Sequence, residues 1–244
     1  MILFGRNIFK EALLAKASIL EVYVETKSAY EWLQKLVGPA LNSWKLEEGL
    51  PDLVEKENHQ GIAFKTNHSF YKIYDAQELR KHRSIILCNH VEDVHNLGSI
   101  ARSAAAFGST LIVHESQKSA SVTPAVVKSS AGCAFHLSFM KVDHLEVALK
   151  ILKKSDYQIM GLDLCEQSVD LYSANLTAGG KRCFIFGSEG FGLEEINKSY
   201  CDLILKIPME RQVESLNVSH AASVVLSWAH HRDGTGASGP QEGA

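Results

Sequence analysis

The sequence predicts an α/β protein with a mostly parallel sheet, preceded by a smaller α/β unit. Three observations lead there. From residue 84 to residue 232, short apolar runs of strand length alternate with segments of helical period. The runs at 84–88 and 182–186 are apolar at nearly every position, as in strands covered by helices on both faces. Before them, residues 69–83 are polar and charged without a sustained period, and read as a linker after an earlier set of elements. The predicted organisation is therefore a first domain at 1–68, a linker at 69–83, a larger domain at 84–232 and a Gly-rich, disordered tail at 233–244.

Each element has its own signature. In the first unit, Ile8, Phe9, Ala12 and Leu13 fall at helical spacing within 7–16. Residues 19–24 alternate like a strand, and 29–37 return to a helical pattern that Gly38-Pro39 stops. A short strand is predicted at 59–64. In the second unit, strands are predicted at 84–88, 110–113, 157–161, 182–186 and 203–208. Helices are predicted at 96–107, 145–153 and 216–229.

Composition narrows the class. With 244 residues, 45% hydrophobic and 22% charged, the chain has the make-up of a soluble globular protein. No apolar run approaches membrane-spanning length, and the N-terminus lacks a signal- or transit-peptide pattern, so a cytoplasmic location is expected. Cys88, Cys133, Cys165, Cys183 and Cys201 are odd in number, scattered and without a C-x-x-C pair, so all five read as reduced structural thiols. Net charge is −3, and residues 1–70 carry 8 Lys/Arg against 9 Asp/Glu, the remainder 17 against 19. A nucleic-acid partner would have to be met by a local basic patch, because there is no global field.

Four polar segments follow predicted strands, where open α/β sheets place their sites. The first, residues 89–102, holds Asn96, placed to cap a helix, and Arg102 inside a stretch of small apolar residues. Arg102 fits two accounts, a snorkelling surface residue or a clamp for phosphate or carboxylate. The second, 186–193, has three glycines in six residues but neither nucleotide-binding fingerprint, and Glu189 would repel a pyrophosphate. The third is 207–211, and the fourth, 214–220, contains Ser215 and Asn217 at the start of the last predicted helix, where capping explains both. His90, Glu92, Asp93 and His95 are close in sequence but lack the helical H-E-x-x-H spacing, so no metal is expected. No G-x-S-x-G elbow anchors a hydrolase triad.

In order and wording the segments resemble the SpoU family of RNA 2′-O-ribose methyltransferases, within the SPOUT superfamily. The first motif is similar to H-N-L-G-x-x-x-R, here His95 to Arg102, followed by Ser103-Ala104 and Phe107-Gly108. The second resembles the stretch from Phe186 to Gly192, and the third Ile207-Pro208-Met209 through Ser215-Leu216-Asn217-Val218-Ser219. Val94 stands where the family commonly has proline. Residues around 5–13 and 59–63 resemble the small substrate-binding domain of many members.

The resemblance implies a C-terminal trefoil knot, which residue patterns argue against, a homodimer and an RNA substrate, with ribosomal RNA favoured over transfer RNA by the extra domain. It implies S-adenosylmethionine as cofactor, met around Gly187, Ile207, Met209 and Leu216. Asn96, Arg102, Glu189, Ser215 and Asn217 match the family's functional polar residues. An arginine is always protonated, so Arg102 is expected to assist deprotonation of the ribose hydroxyl through the RNA phosphate. Ser215 and Asn217 would orient the arginine or the ribose, and Glu189 would hold the hydrogen-bond network. Two other classes remain open: a catalytically silent RNA-binding paralogue, and a nucleotide-binding enzyme using the 187–192 turn.

Overall fold

The computed structural model describes residues 1–54, 58–177, 179–187, 192–210 and 215–234. The first unit is built on a four-stranded sheet from β1 (Ile2–Phe4), β2 (Ile19–Val24), β3 (Lys45–Glu48) and β4 (Ile62–Thr66), in the order β1-β4-β2-β3. Helices α1 (Arg6–Leu14) and α2 (Lys27–Val37) complete it. Thr26 caps α2, its Oγ1 accepting from Ala29 N at 3.2 Å, and Gly38 ends it at φ +53° as the Gly-Pro signal predicts. The centre is aromatic: fully buried Phe9 meets Phe64, Trp44 and Trp32 edge-on at 5.2, 5.8 and 6.3 Å.

The second unit runs α3 (Ala76–Lys81), β5 (Ser84–Cys88), α4 (Val94–Ala106), β6 (Leu111–Glu115), α5 (Pro124–Ser129), β7 (Ser138–Val142), α6 (Leu145–Lys153) and β8 (Tyr157–Leu162). It continues with β9 (Val169–Asp170), β10 (Lys181–Phe186), α7 (Glu195–Lys198), β11 (Leu203–Lys206) and α8 (Val218–Arg232). All neighbours in its seven-stranded sheet are parallel, in the order β7-β6-β5-β10-β8-β11-β9. Winding goes outward from β5 to β7, then restarts at β8 and inserts β10 between β8 and β5. That reversal makes a switch point at the strands' C-terminal ends.

Period-two alternation divides the apolar side chains between two layers. Ile86, Ile112, Phe139, Phe184 and Phe186 face α4, α5 and α8. Ile85, Leu87, Val113, Ile159 and Ile185 face α6 and Leu79 of α3. This is why the strands read as continuously apolar. Helix α4 uses its small residues for close packing: a Cβ on Gly98 would stand 1.8 Å from Ser129 Oγ and 2.8 Å from Val126 O of α5.

The structure adds β1, β3, β7, β9, α3, α5 and α7 to the elements read from sequence. Most are too short to show a period, and β7 lies at a sheet edge. Residues 69–83 pack on the larger sheet. Phe139 N donates to Phe70 O at 2.9 Å, Lys72 N donates to Phe139 O at 2.8 Å, and Leu79 is fully buried. The two units share one apolar cluster, in which Phe9 and Ala12 of α1 join Val126 and Phe135. At its rim, His136 Nε2 lies 2.6 Å from Glu11 Oε2.

All five cysteines are free thiols. Burial pushes Cys88 and Cys201 up to about 12 and raises Cys183 as well, so none of these three is a ready nucleophile. Of residues 233–244, read from sequence as a disordered tail, Asp233 closes α8 as its C-cap and Gly234 follows it, while 235–244 lie outside the described residues. No helix of the described residues is long and apolar enough to cross a membrane. Arg182 and Asp233, with side chains 6% and 8% exposed, form an ion pair between the base of β10 and the end of α8, and Arg83 joins it at 3.0 Å.

Burial lowers the pKa of three histidines. His68 sits against Phe70 and Phe135 with Lys72 nearby. His82 is lowered despite Glu78, with Lys81 and Lys72 adding to the effect, and His114 is lowered with help from Lys141. On acidification the unfolded chain therefore takes up these protons before the folded chain does. Their contribution is intact above the unfolded value of about 6.5 and is lost as pH falls through the lower folded values. Calorimetric melting across pH 8 to pH 5 is expected to show Tm falling below that point. The variant His68→Phe, which keeps the ring contacts, should fall less steeply.

Candidate active site

The C-terminal ends of β8, β10 and β11 and the start of α8 enclose a cavity of about 570 Å³, a size suited to a nucleoside-derived ligand. Gly187, Ile207, Met209 and Leu216, the four cofactor residues expected from sequence, all line it, together with Ser215 and Asn217. Leu162 at the end of β8 and Asp163 and Leu164 just after it also line it, and sequence reading missed them. Their only signal was position, at the end of a strand beside the switch point.

Glycine is required where the cavity wall turns. A Cβ on Gly187 would stand 2.2 Å from Gly192 O, a backbone atom with little freedom to yield. Gly192 has φ +65°, and a Cβ there would meet Asp163 Oδ1 at 2.7 Å. Asp163 is itself held, accepting from Leu164 N at 2.8 Å and pairing with Lys198 Nζ at 2.7 Å. Asp163 and Glu195 keep the Lys198 ammonium well above the usual lysine range. The wall thus combines apolar side chains, tightly turned backbone and one fixed carboxylate. That lining fits a ligand with an adenosyl body.

Asn217 joins this cavity to the first motif. Its Nδ2 donates to Asn96 Oδ1 at 3.0 Å. Its Oδ1 accepts from Ser219 N at 2.9 Å and Ser219 Oγ at 2.7 Å, which caps α8 and fixes the amide's orientation. The expectation that Asn96 caps α4 is corrected. Asp93 does so, its Oδ1 accepting from His95 N at 2.7 Å, because the helix begins at Val94 and Asn96 already lies in its first turn. Asn96 is thereby left to face Asn217. A second link between these helices runs from Ser103 Oγ to Ser223 Oγ at 2.7 Å.

Arg102 stands on α4 about 9 Å along the axis from Asn96. Its side chain is exposed and makes no hydrogen bond or ion pair among the described residues. Ser215 is exposed at the cavity mouth. Glu189 lies outside the described residues, as do its neighbours at 188–191 and the segment 211–214.

Residues 83–227 match the family model of the SpoU rRNA methylase family. The chain belongs to this family. A putative TrmH family tRNA/rRNA methyltransferase of Staphylococcus saprophyticus is 29% identical over 235 residues, covering 93% of each chain. The 23S rRNA (guanosine-2′-O-)-methyltransferase RlmB of Xanthomonas campestris is 37% identical over 175 residues, 69% of this chain and 68% of its own. The crystal structure of the SpoU methyltransferase AviRb from Streptomyces viridochromogenes shares the fold, with a TM-score of 0.78 at 21% identity over 97% of this chain and 90% of that one. Another structure of AviRb, in complex with the cofactor AdoMet, gives a TM-score of 0.77 at 20% identity over 97% and 91%. Membership makes this family member an RNA 2′-O-methyltransferase that uses S-adenosylmethionine. The α/β class with a mostly parallel sheet agrees with the sequence reading.

Gly187→Ala is expected to weaken S-adenosylmethionine binding at least about tenfold, because the new methyl group forces the turn outward from Gly192. Titration calorimetry checks this, and unchanged affinity would remove the turn from the cofactor wall.

Proposed function

We propose that this methyltransferase modifies a ribose 2′-hydroxyl of ribosomal RNA, with Arg102, Asn96, Ser215, Asn217 and Glu189 forming the reaction centre. The observation that carries this reading is the hydrogen bond from Asn217, which lines the cavity, to Asn96 on the helix that bears Arg102. It brings residues of the first and third motifs to one place. The choice of ribosomal RNA draws on the printed function of the RlmB relatives, and transfer RNA is the alternative that the TrmH-type relatives leave open.

A ribose hydroxyl is a weak nucleophile and has to lose its proton as the new bond forms. When bound, S-adenosylmethionine supplies a methyl group on a sulfonium that departs neutral, so no general acid is needed. Gly187, Ile207, Met209 and Leu216 would hold that cofactor. The guanidinium of Arg102 is always protonated and serves as an anchor for the RNA phosphate, which takes the proton or relays it. Asn96 and Asn217, locked to each other, present a fixed polar edge to the ribose, with Ser215 beside them. Glu189 is assigned here from the motif alone.

The domain at 1–68 is proposed to select the RNA. Supporting this, Arg6 and Lys10 lie 5.2 and 5.9 Å from the Trp32 ring centroid, a cationic and aromatic patch in a chain with no global positive field. A homodimer is also proposed, through the outer face of α8. Most of that helix's apolar residues, Ala222, Val225, Leu226 and Ala229 among them, are buried within their own chain. What remains is an open hollow between Phe107, Tyr172, Val224 and Trp228, which a symmetry mate would fill. A trefoil threading and a cytoplasmic location complete the proposal.

Arg102→Ala is expected to lower turnover by about 10²–10⁴ while leaving cofactor affinity nearly unchanged. Single-turnover methylation of ribosomal RNA, with calorimetry in parallel, measures both. Mass-spectrometric mapping of ribose methylation in RNA from cells with and without the gene should show one ribosomal site lost. Loss at a transfer-RNA site would move the substrate, and no loss at all would favour a catalytically silent paralogue.

A further inference from the structure

Outside the cavity, three ligand-bearing side chains converge where the chain leaves β5, β6 and the Gly-rich turn. His90 Nε2 lies 3.0 Å from Glu115 Oε2 and 3.7 Å from Glu194 Oε1, and all three atoms fall within 4.8 Å of one another. No other such group of three occurs among the described residues. The motif residues Glu92, Asp93 and His95 take no part, which is why sequence spacing gave no sign of it.

The side chains are aimed. Glu115 Oε1 accepts from Leu145 N at 3.4 Å, which turns Oε2 toward His90. Glu194 Oε2 accepts from Asn197 Nδ2 at 3.4 Å, leaving Oε1 toward the same point, and Glu194 N donates to Asn89 Oδ1 at 3.2 Å. The Glu115 side chain is 7% exposed, and its Oε2 accepts no hydrogen bond. Among the described residues, no lysine or arginine pairs with either carboxylate; only His90 does. A single imidazole is thus shared between two carboxylates, one of them buried.

We propose that His90, Glu115 and Glu194 bind a divalent zinc ion. One imidazole and two carboxylates neutralise a dication and belong to zinc's ordinary ligand set. The observed 3.0 and 3.7 Å separations bracket the edge of about 3.3 Å expected between ligands of a tetrahedral zinc with bonds of about 2.0–2.1 Å. Three protein ligands leave the fourth position to water. The outer contacts from Leu145 N and Asn197 Nδ2 are of the kind that fix first ligands at metal sites. Such an ion ties the loop entering α4 to the residue that follows the Gly-rich turn. It touches none of the residues assigned to cofactor or RNA, so the proposal does not depend on the choice of substrate.

The test uses the full-length chain, freed of any affinity tag and stripped by chelator. Titration with zinc, followed by calorimetry and elemental analysis, is expected to give one ion per chain at micromolar affinity or better, with a rise in Tm. Cobalt in place of zinc should give the visible absorption of a four-coordinate ion. Glu194→Ala, which removes a half-exposed side chain, and Glu115→Gln, which keeps its shape, should each weaken binding at least about tenfold. Circular dichroism confirms that both variants are folded. No uptake at sub-millimolar zinc overturns the proposal and leaves a plain ion pair. Undiminished binding in the combined variant also overturns it, by placing the ion elsewhere, and a preference for magnesium overturns the choice of metal.

Discussion

One amide-to-amide hydrogen bond, from Asn217 to Asn96, sets where everything else in the site stands. Asn217 has two jobs that leave it no freedom. Its oxygen is committed to the first turn of α8, so its nitrogen must face α4. The start of α8 is thereby fixed against the start of α4, and the cavity between β11 and α8 keeps its width. The small residues of α4 allow this closeness, since Gly98, Ala101 and Ala104 are buried where larger side chains would hold α5 and α8 away. At the far end of α8, the Arg182–Asp233 pair ties the helix to the base of β10. Breaking such a pair from one side costs about 3–5 kcal/mol, so the helix is anchored at both ends.

The sheet gives this arrangement its location. In a parallel sheet all strands have their C-terminal ends on the same side, so every loop after β5, β6, β8, β10 and β11 opens at one edge. Where the winding reverses, adjacent loops diverge and leave room for a ligand. The cavity occupies that gap, and the His90–Glu115–Glu194 cluster lies at the same edge beside it.

Most of the larger unit was legible in the sequence because its strands are buried on both faces and its helices are long enough to show a period. Residues 182–186 could hardly be anything else. The short edge elements were hidden, β7 among them, because five residues with one apolar-lined face carry little signal. Polar composition concealed the packing of residues 69–83, where Phe70 and Leu79 are buried and Tyr71 packs half-buried beside them. In the site, motif wording placed Gly187, Ile207, Met209, Leu216 and Asn217 together. The 162–164 turn contains no unusual residue type and only becomes visible once β8 lies next to β10. His90, Glu115 and Glu194 are separated by up to 104 positions, a distance no local pattern can bridge.

The strand order also governs how the chain is made. β5 is complete at Cys88, yet its partner on one side, β10, ends only at Phe186, 98 residues later. At ribosomal speeds of about 5–20 residues per second, that side of β5 stays without its partner for about 5–20 s. A strand apolar at nearly every position and left open that long is a template for pairing with a neighbouring chain. The β5–β6–β7 half can assemble early on its own, but the sheet closes only when β10 slides into the slot between β5 and β8. Synthesis of this protein therefore carries a window of aggregation risk whose length is set by the spacing of two strands.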